Sequence, residues 1–419
     1  MDELLRASLA LWRDCPTTLP ALPRTFTVTE QATRERQFDR FLEGIQNELK
    51  SIPRSRSERL EAQSRITDLF TRFARESAGL EDRHLELLGS GGLSEVGTRL
   101  ARQARRFDPS VSTSDILQAT RNAWTACGLQ MLFGRKMCLT PSIFAYSMLY
   151  PYTDNYLDDV STSEEDKRGF SRRLGARLAG DEVGPANDWE NLIWRLVGLI
   201  EGEHPRPACP RIYESLLDIH RAQGRSIALL RSGADADVLG IVFEKGGTSV
   251  LADGYLAAGD LNREQAQFVF DWGVLLQLAD DLQDVDADCR DGVWTLFSQA
   301  AAGGPLDELT NRTLHFAARV MGRMRQLPGA KSPALQELIA RSSVSMVLRC
   351  AGAACERYTR AYMSELEPHS PFRIAFLNER RKQLGKRSAM FARLFEAFLE
   401  GDEDEPAFPL LPSSLLPRF

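Results

Sequence analysis

Helix-start signals recur along this chain, while the alternation that a sheet needs is almost absent. A Ser, Thr or Asn followed three residues later by Glu or Gln can satisfy two orphan N–H groups at a helix N-terminus, each side chain accepting from the other's backbone. Thr27 with Glu30, Ser55 with Glu58 and Asn262 with Gln265 have this form. The first predicts a helix reaching about Leu49. The second precedes Leu60, Ile66, Leu69, Phe70 and Phe73 at helical spacing, and the third precedes Phe268, Trp272, Leu275, Leu276, Ala279 and Leu282. Further helices are expected from Ser114-Asp115 to about Gly134 and from near Pro141, proline being favourable in a first turn. Breaks are expected at Gly89–Gly92, Gly180–Pro185, His204–Pro210 and Gly303–Asp307. TFTVT at 25–29 is the only short strand candidate. The expected fold class is all-α.

Composition narrows the function. With 419 residues, 43% of them hydrophobic, the chain can bury a large core. A net charge of −6 argues against a nucleic-acid binder that works through a basic surface. Seven cysteines without a CxxC pair, beside five histidines, suit neither a disulfide framework nor a zinc site. The opening MDELLRASLALWRDC carries acids at once and reads as a short amphipathic helix rather than a signal peptide. No run approaches 18 apolar residues, so no membrane span is expected. LLPRF at the end is not a prenylation box. These features make a reducing cytoplasm the expected location, and residues 401–419 read as a flexible tail.

Two carboxylate clusters carry the chemistry. In TDNYLDDV, Asp154 and Asp158 lie four apart on one helix face, with Asp159 beside them. Pro151, one turn earlier, removes a backbone donor and should kink the helix. In QLADDLQDVDAD, Asp280, Asp284 and Asp288 are expected to line one face for three turns, with Asp281 and Gln277 nearby and an apolar flank of Val274, Leu275, Leu278 and Leu282. Like charges at this spacing repel unless cations lie between them, and an all-oxygen donor set suits Mg²⁺. A solvated acidic face is the alternative reading.

FDWGVLLQLADDLQDVDAD resembles the second aspartate-rich region of trans-prenyl diphosphate synthases, with Gly273, Gln277, Asp280, Asp281 and Asp284 in the family's order. Gln223 resembles that superfamily's helix glutamine. Lys245 and Thr248 of EKGGTS resemble its diphosphate-binding Lys/Thr pair, with two glycines between them. DNYLDD is closer to the DxxxDD of squalene synthase-like enzymes. MLYPYTDNYLDD, GGTSVLADGYL and ELEPHSPFR resemble bacterial proteins described as class I isoprenoid biosynthesis enzymes. The resemblance covers about residues 130–300, with a weaker echo to 382. It departs from chain-elongating enzymes in lacking a GGKRxRP-type segment, Gly134-Arg135-Lys136 being the nearest match, and from cyclases in lacking an NSE-type motif.

The resemblance implies a class I terpenoid synthase-like antiparallel helical bundle around an apolar cavity, over residues 111–400; residues 1–110, outside the resemblance, read from their helix signals as a helical extension. It implies metal ligation by Asp154, Asp158, Asp159, Asp280, Asp281 and Asp284, with three Mg²⁺ ions and a diphosphate. Asp154, Asp158, Asp280 and Gln277 would be catalytic, and Lys245, Thr248, Arg225 and Arg231 would bind diphosphate. Phe144, Tyr150, Tyr156 and Trp272 would line the cavity. The activity implied is a terpene synthase ionising an allylic prenyl diphosphate, the alternatives being a prenyltransferase (chain-elongating or head-to-head) and a non-catalytic helical binding protein. The expected partner is a small-molecule prenyl diphosphate, with a homodimer left open as the assembly.

Overall fold

The computed structural model describes residues 1–22, 24–89, 92–159, 161–226, 237–327, 332–385, 388–399 and 401, and not the side chains of Asp158, Ser388 and Ala389. The expected tail over 401–419 from residue 402 onward, Arg231, and the centre of the Gly89–Gly92 break lie outside the described residues.

Helices carry the described chain, and no strand occurs among the described residues. They are α1 (Asp2–Arg13), α2 (Val28–Leu49), α3 (Arg56–Glu76), α4 (Asp82–Leu88), α5 (Leu93–Phe107), α6 (Thr113–Leu132), α7 (Pro141–Asp158), α8 (Glu164–Ala179), α9 (Asp188–Glu203) and α10 (Pro210–Ser226). There follow α11 (Val238–Ala258), α12 (Arg263–Gln283), α13 (Val285–Asp291), α14 (Leu296–Gly303), α15 (Asp307–Gln326), α16 (Pro333–Ala353), α17 (Arg360–Leu366), α18 (Ile374–Gly385) and α19 (Ser388–Leu399). None is long and apolar enough to cross a membrane.

All three capping boxes form as the sequence predicts, at Thr27, Ser55 and Asn262. TFTVT is therefore not a strand: Thr27 is extended only because it is the cap of α2. The helix expected from Ser114 begins one residue earlier, where Ser112 Oγ accepts from the Asp115 N–H at 3.1 Å. On α3, Ile66, Phe70 and Phe73 are buried as predicted, but Leu60 is exposed.

Contacts divide the chain into two compact units: residues 1–20 with 125–336, and residues 21–124 with 337–419. This differs from boundaries at 110 and 400, and it falls inside α6 and α16. In the second unit, α2 and α3 pack around Phe38, Phe41, Phe70 and Phe73, the Phe41 and Phe73 rings stacking with centroids 4.7 Å apart.

The first unit is built on α11, which packs along α10 and α12 and also meets α7, while α7 packs on α9 and α10 on α8. The short α1 belongs to this unit. Trp12 meets the Phe243 and Phe316 rings edge-on at 5.6 and 5.7 Å, and Ser8 donates to the buried carboxylate of Asp271 on α12. Arg323 of α15 and Gln267 complete the Asp271 network. A buried carboxylate needs such partners, because an unpaired one is costly to desolvate.

Two glycines set how closely α11 and α12 approach. A β-carbon on Gly273 would overlap the carbonyl oxygen of Gly246, and one on Gly246 would lie 2.5 Å from Gln277 Cβ and 2.8 Å from Gly273 O. A side chain at either position would push two backbones apart. The second glycine of EKGGTS, Gly247, faces the Phe270 ring just as tightly. The interruption between Lys245 and Thr248 is thus a packing surface.

Candidate active site

Asp154 lies on the last turn of α7, half-buried. Its Oδ1 accepts from Gln223 Nε2 of α10 at 3.2 Å, and its Oδ2 is 4.0 Å from Lys245 Nζ of α11. Lys245 is also close enough to Asp281 to favour that residue's charged form. One ammonium therefore lies near both acidic clusters. Gln277 of α12 donates to Asp281 Oδ1 at 2.8 Å. Asp281 Oδ2 is buried with no hydrogen-bond partner among the described residues. This gathering of Asp154, Gln223, Lys245, Gln277 and Asp281 on four helices is the centre of the candidate site.

The second cluster is not one three-turn helix. α12 ends at Gln283, and Asp284 adopts φ −96° and ψ 6° before α13 begins at Val285. The acids still adjoin, because Asp284 N–H donates to Asp280 O at 3.0 Å and Asp288 N–H to Asp284 O at 2.9 Å, carrying the ladder across the break. Asp288 accepts from Thr295 Oγ1 at 3.3 Å, and burial pushes it up to about 6, with Asp284, Asp280 and Asp291 adding repulsion.

Burial pushes Asp281 up to about 8, opposed by the Gln277 hydrogen bond and Lys245 and assisted by Asp280 and Asp288. Its ordinary value is 3.8. A carboxyl raised on folding contributes stability that is complete below its unfolded value and lost as pH rises through its folded value. Metal-free protein should therefore lose thermal stability between about pH 4 and 8 partly through Asp281, by several kcal/mol at most at ~1.4 kcal/mol per pH unit. Asp281→Asn should flatten that loss in thermal unfolding recorded with EDTA. Equal losses in both proteins would mean that Asp281 is ionised in the fold at neutral pH.

Other sequence-predicted residues lie apart from this centre or serve structure. Thr248 is fully buried, its hydroxyl donated to the Glu244 carbonyl at 2.7 Å, so it faces its own helix. Asp159 is exposed and closes a local turn, accepting from Ser161 N–H at 2.8 Å, Ser161 Oγ at 2.7 Å and Thr162 Oγ1 at 3.2 Å, which hold it below the usual carboxylate range. Asp158 ends α7.

Arg225, at the end of α10, pairs with Glu244 next to Lys245. Glu244 is a neighbour the sequence reading missed, its only signal being an acid beside the lysine. Arg135 of the Gly134-Arg135-Lys136 segment donates to the Ala258 carbonyl at the end of α11.

Of the residues expected to line a cavity, Phe144 is fully buried, Tyr150 is half-buried one turn before Asp154, and Trp272 stacks on Phe268 with centroids 6.0 Å apart. Tyr156 belongs to an aromatic cluster, stacked on Trp189 at 4.2 Å and edge-on to Phe170 at 5.2 Å.

Among the described residues no group of three or more His, Cys, Asp or Glu side chains could hold a metal ion unaided. Mg²⁺ does not require such a cage, since it usually takes one or two carboxylates and completes its octahedron with water and phosphate oxygens. The all-oxygen donor set and the buried, unpartnered Asp281 Oδ2 fit that ion. No protein-family model matches the chain, and no curated protein matches it.

Proposed function

We propose that this protein is an Mg²⁺-dependent class I terpene synthase that ionises an allylic prenyl diphosphate and releases pyrophosphate. The observation that carries the reading is Lys245, 4.0 Å from Asp154 and an electrostatic neighbour of Asp281, so that one cation serves acids from both clusters. Asp154, Asp158, Asp280, Asp281 and Asp284 would hold Mg²⁺. Bound there, the ion would offset the charge of a departing pyrophosphate.

The chain's own residues supply the rest. Lys245 Nζ lies 4.0 Å from Asp154 Oδ2, and its ammonium would donate to diphosphate oxygens. Gln223 and Gln277 orient Asp154 and Asp281 through their amides. Val274, Leu275, Leu278 and Leu282 make the flank of α12 apolar, as a site that generates a carbocation must be to exclude water. Arg135 is engaged at the end of α11, which favours a single allylic substrate over condensation with a second diphosphate.

Mg²⁺ and pyrophosphate together should stabilise the protein far more than the sum of their separate effects. Each supplies the other's counter-charge, and a ligand that binds only the folded state raises its stability by mass action. Thermal shifts that merely add would refute a shared site.

A further inference from the structure

The second unit carries a separate concentration of positive charge. Arg24 precedes α2, Arg34 lies on α2 and Arg341 on α16, yet all three reach the turn that follows α3. The three atoms nearest to a β-carbon built on Gly79 would be Arg341 Nη2 at 3.8 Å, Arg24 Nη1 at 4.0 Å and Arg34 Nη2 at 4.0 Å. Three guanidinium groups from three segments thus surround one point, no two of those nitrogens more than ~8 Å apart, where like charges still repel.

Their hydrogen bonds leave that charge largely uncompensated. Arg34 donates to the Ser77 carbonyl, and Arg341 donates to the carbonyls of Ala78 at 2.9 Å and Gly79 at 3.3 Å. Arg24 and Arg34 lie over the Phe26 ring, 4.5 and 5.0 Å from its centroid. The acids nearby have other duties. Glu337 is 3.9 Å from Arg341 but pairs with Arg83 at 2.7 Å, and Glu30 is bound into the Thr27 capping box. Arg24 is exposed and forms no ion pair among the described residues. Burial lowers the Arg34 guanidinium's proton affinity, and Arg24 and Arg341 lower it further, with Glu30 opposing them.

We infer that Arg24, Arg34 and Arg341 form a binding site for a phosphate-type oxyanion beside the Gly79 turn. A guanidinium presents a rigid fork of N–H donors to paired oxygens. One fork saturates the two oxygens of a carboxylate, whereas three forks from different directions suit the several oxygens of a tetrahedral anion. The carbonyls of residues 77–79 fix the Arg34 and Arg341 forks before the anion arrives, and Arg24 is placed over the Phe26 ring.

Calorimetric titration of the full-length protein in EDTA tests this, with inorganic phosphate, glycerol 3-phosphate and acetate as probes. Phosphate should bind, and acetate should not. Whichever of the two phosphates binds more tightly identifies a free or an esterified source. Arg24→Gln removes no side-chain hydrogen bond among the described residues, so it should fold normally and weaken phosphate binding by about tenfold, as expected for one charge-assisted contact. Arg341→Gln, which gives up its bonds to the Ala78 and Gly79 carbonyls, should also weaken phosphate binding, and Arg13→Gln, at an exposed arginine of the first unit, should leave phosphate affinity unchanged. Absence of phosphate binding, acetate binding as tight as phosphate, or full affinity in the Arg24→Gln protein would overturn the site.

Discussion

Asp154→Asn or Asp280→Asn should reduce turnover of an allylic diphosphate by about two to three orders of magnitude while leaving the helical circular dichroism intact, an effect comparable to losing one preorganised electrostatic group. Asn keeps the shape of the side chain and can still accept from Gln223 at position 154, so the local packing has no reason to change. What disappears is, at position 154, a negative charge beside Lys245 and, at either position, one that in the proposed chemistry acts on Mg²⁺. Neither acid is fully buried, and Asp280 repels Asp281 and Asp288. Asp280→Asn should therefore raise the metal-free melting temperature slightly even as activity collapses. Normal turnover in the Asp280 variant would reduce the second cluster to a solvated face.

Gly273→Ala should be the most destabilising methyl in the first unit. Its β-carbon would overlap the Gly246 carbonyl oxygen and lie 3.0 Å from Val250 Cβ, and backbone cannot rotate away as a side chain can. Overpacking of this kind costs about 1–3 kcal/mol, and a collision with backbone belongs at or above the upper end. The α11–α12 pair would have to separate, and Lys245 and Asp281 lie on those two helices. Melting temperature and pyrophosphate affinity should fall together. Gly198→Ala is the control, since a β-carbon there meets nothing within 4 Å. If Gly273→Ala melted like the Gly198 control, the close helix contact would not exist.

What the sequence made legible was local. A capping box is written within four residues, and all three formed. The acids of α7 and α12 were identified from spacing and resemblance, and their common neighbour Lys245 from the EKGGTS segment. The break at Asp284 was not legible, because Asp280, Asp284 and Asp288 keep a four-residue period straight through it. Nor could spacing reveal that Thr248 turns its hydroxyl to its own helix, or that Tyr156 joins Trp189 and Phe170. The remaining misses are long-range. Ser8 meets Asp271 across 263 positions of sequence, and Arg24 and Arg341 meet near Gly79 only because the second unit is assembled from two distant stretches. No periodicity reports such meetings, since they depend on how whole helices pack.

The central claim is that carboxylates of α7 and α12, with Lys245 between them, ionise an allylic diphosphate. It is tested most directly by incubating the pure protein with C10, C15, C20 and C25 allylic diphosphates and Mg²⁺, each with and without radiolabelled isopentenyl diphosphate. Pyrophosphate release and extracted products are then measured. The account predicts release of pyrophosphate from at least one substrate without isopentenyl diphosphate, abolished by EDTA, with a hydrocarbon or alcohol product and no label in a longer diphosphate. Label in an elongated prenyl diphosphate would contradict the cyclase reading, and no release from any substrate would contradict the ionising site itself.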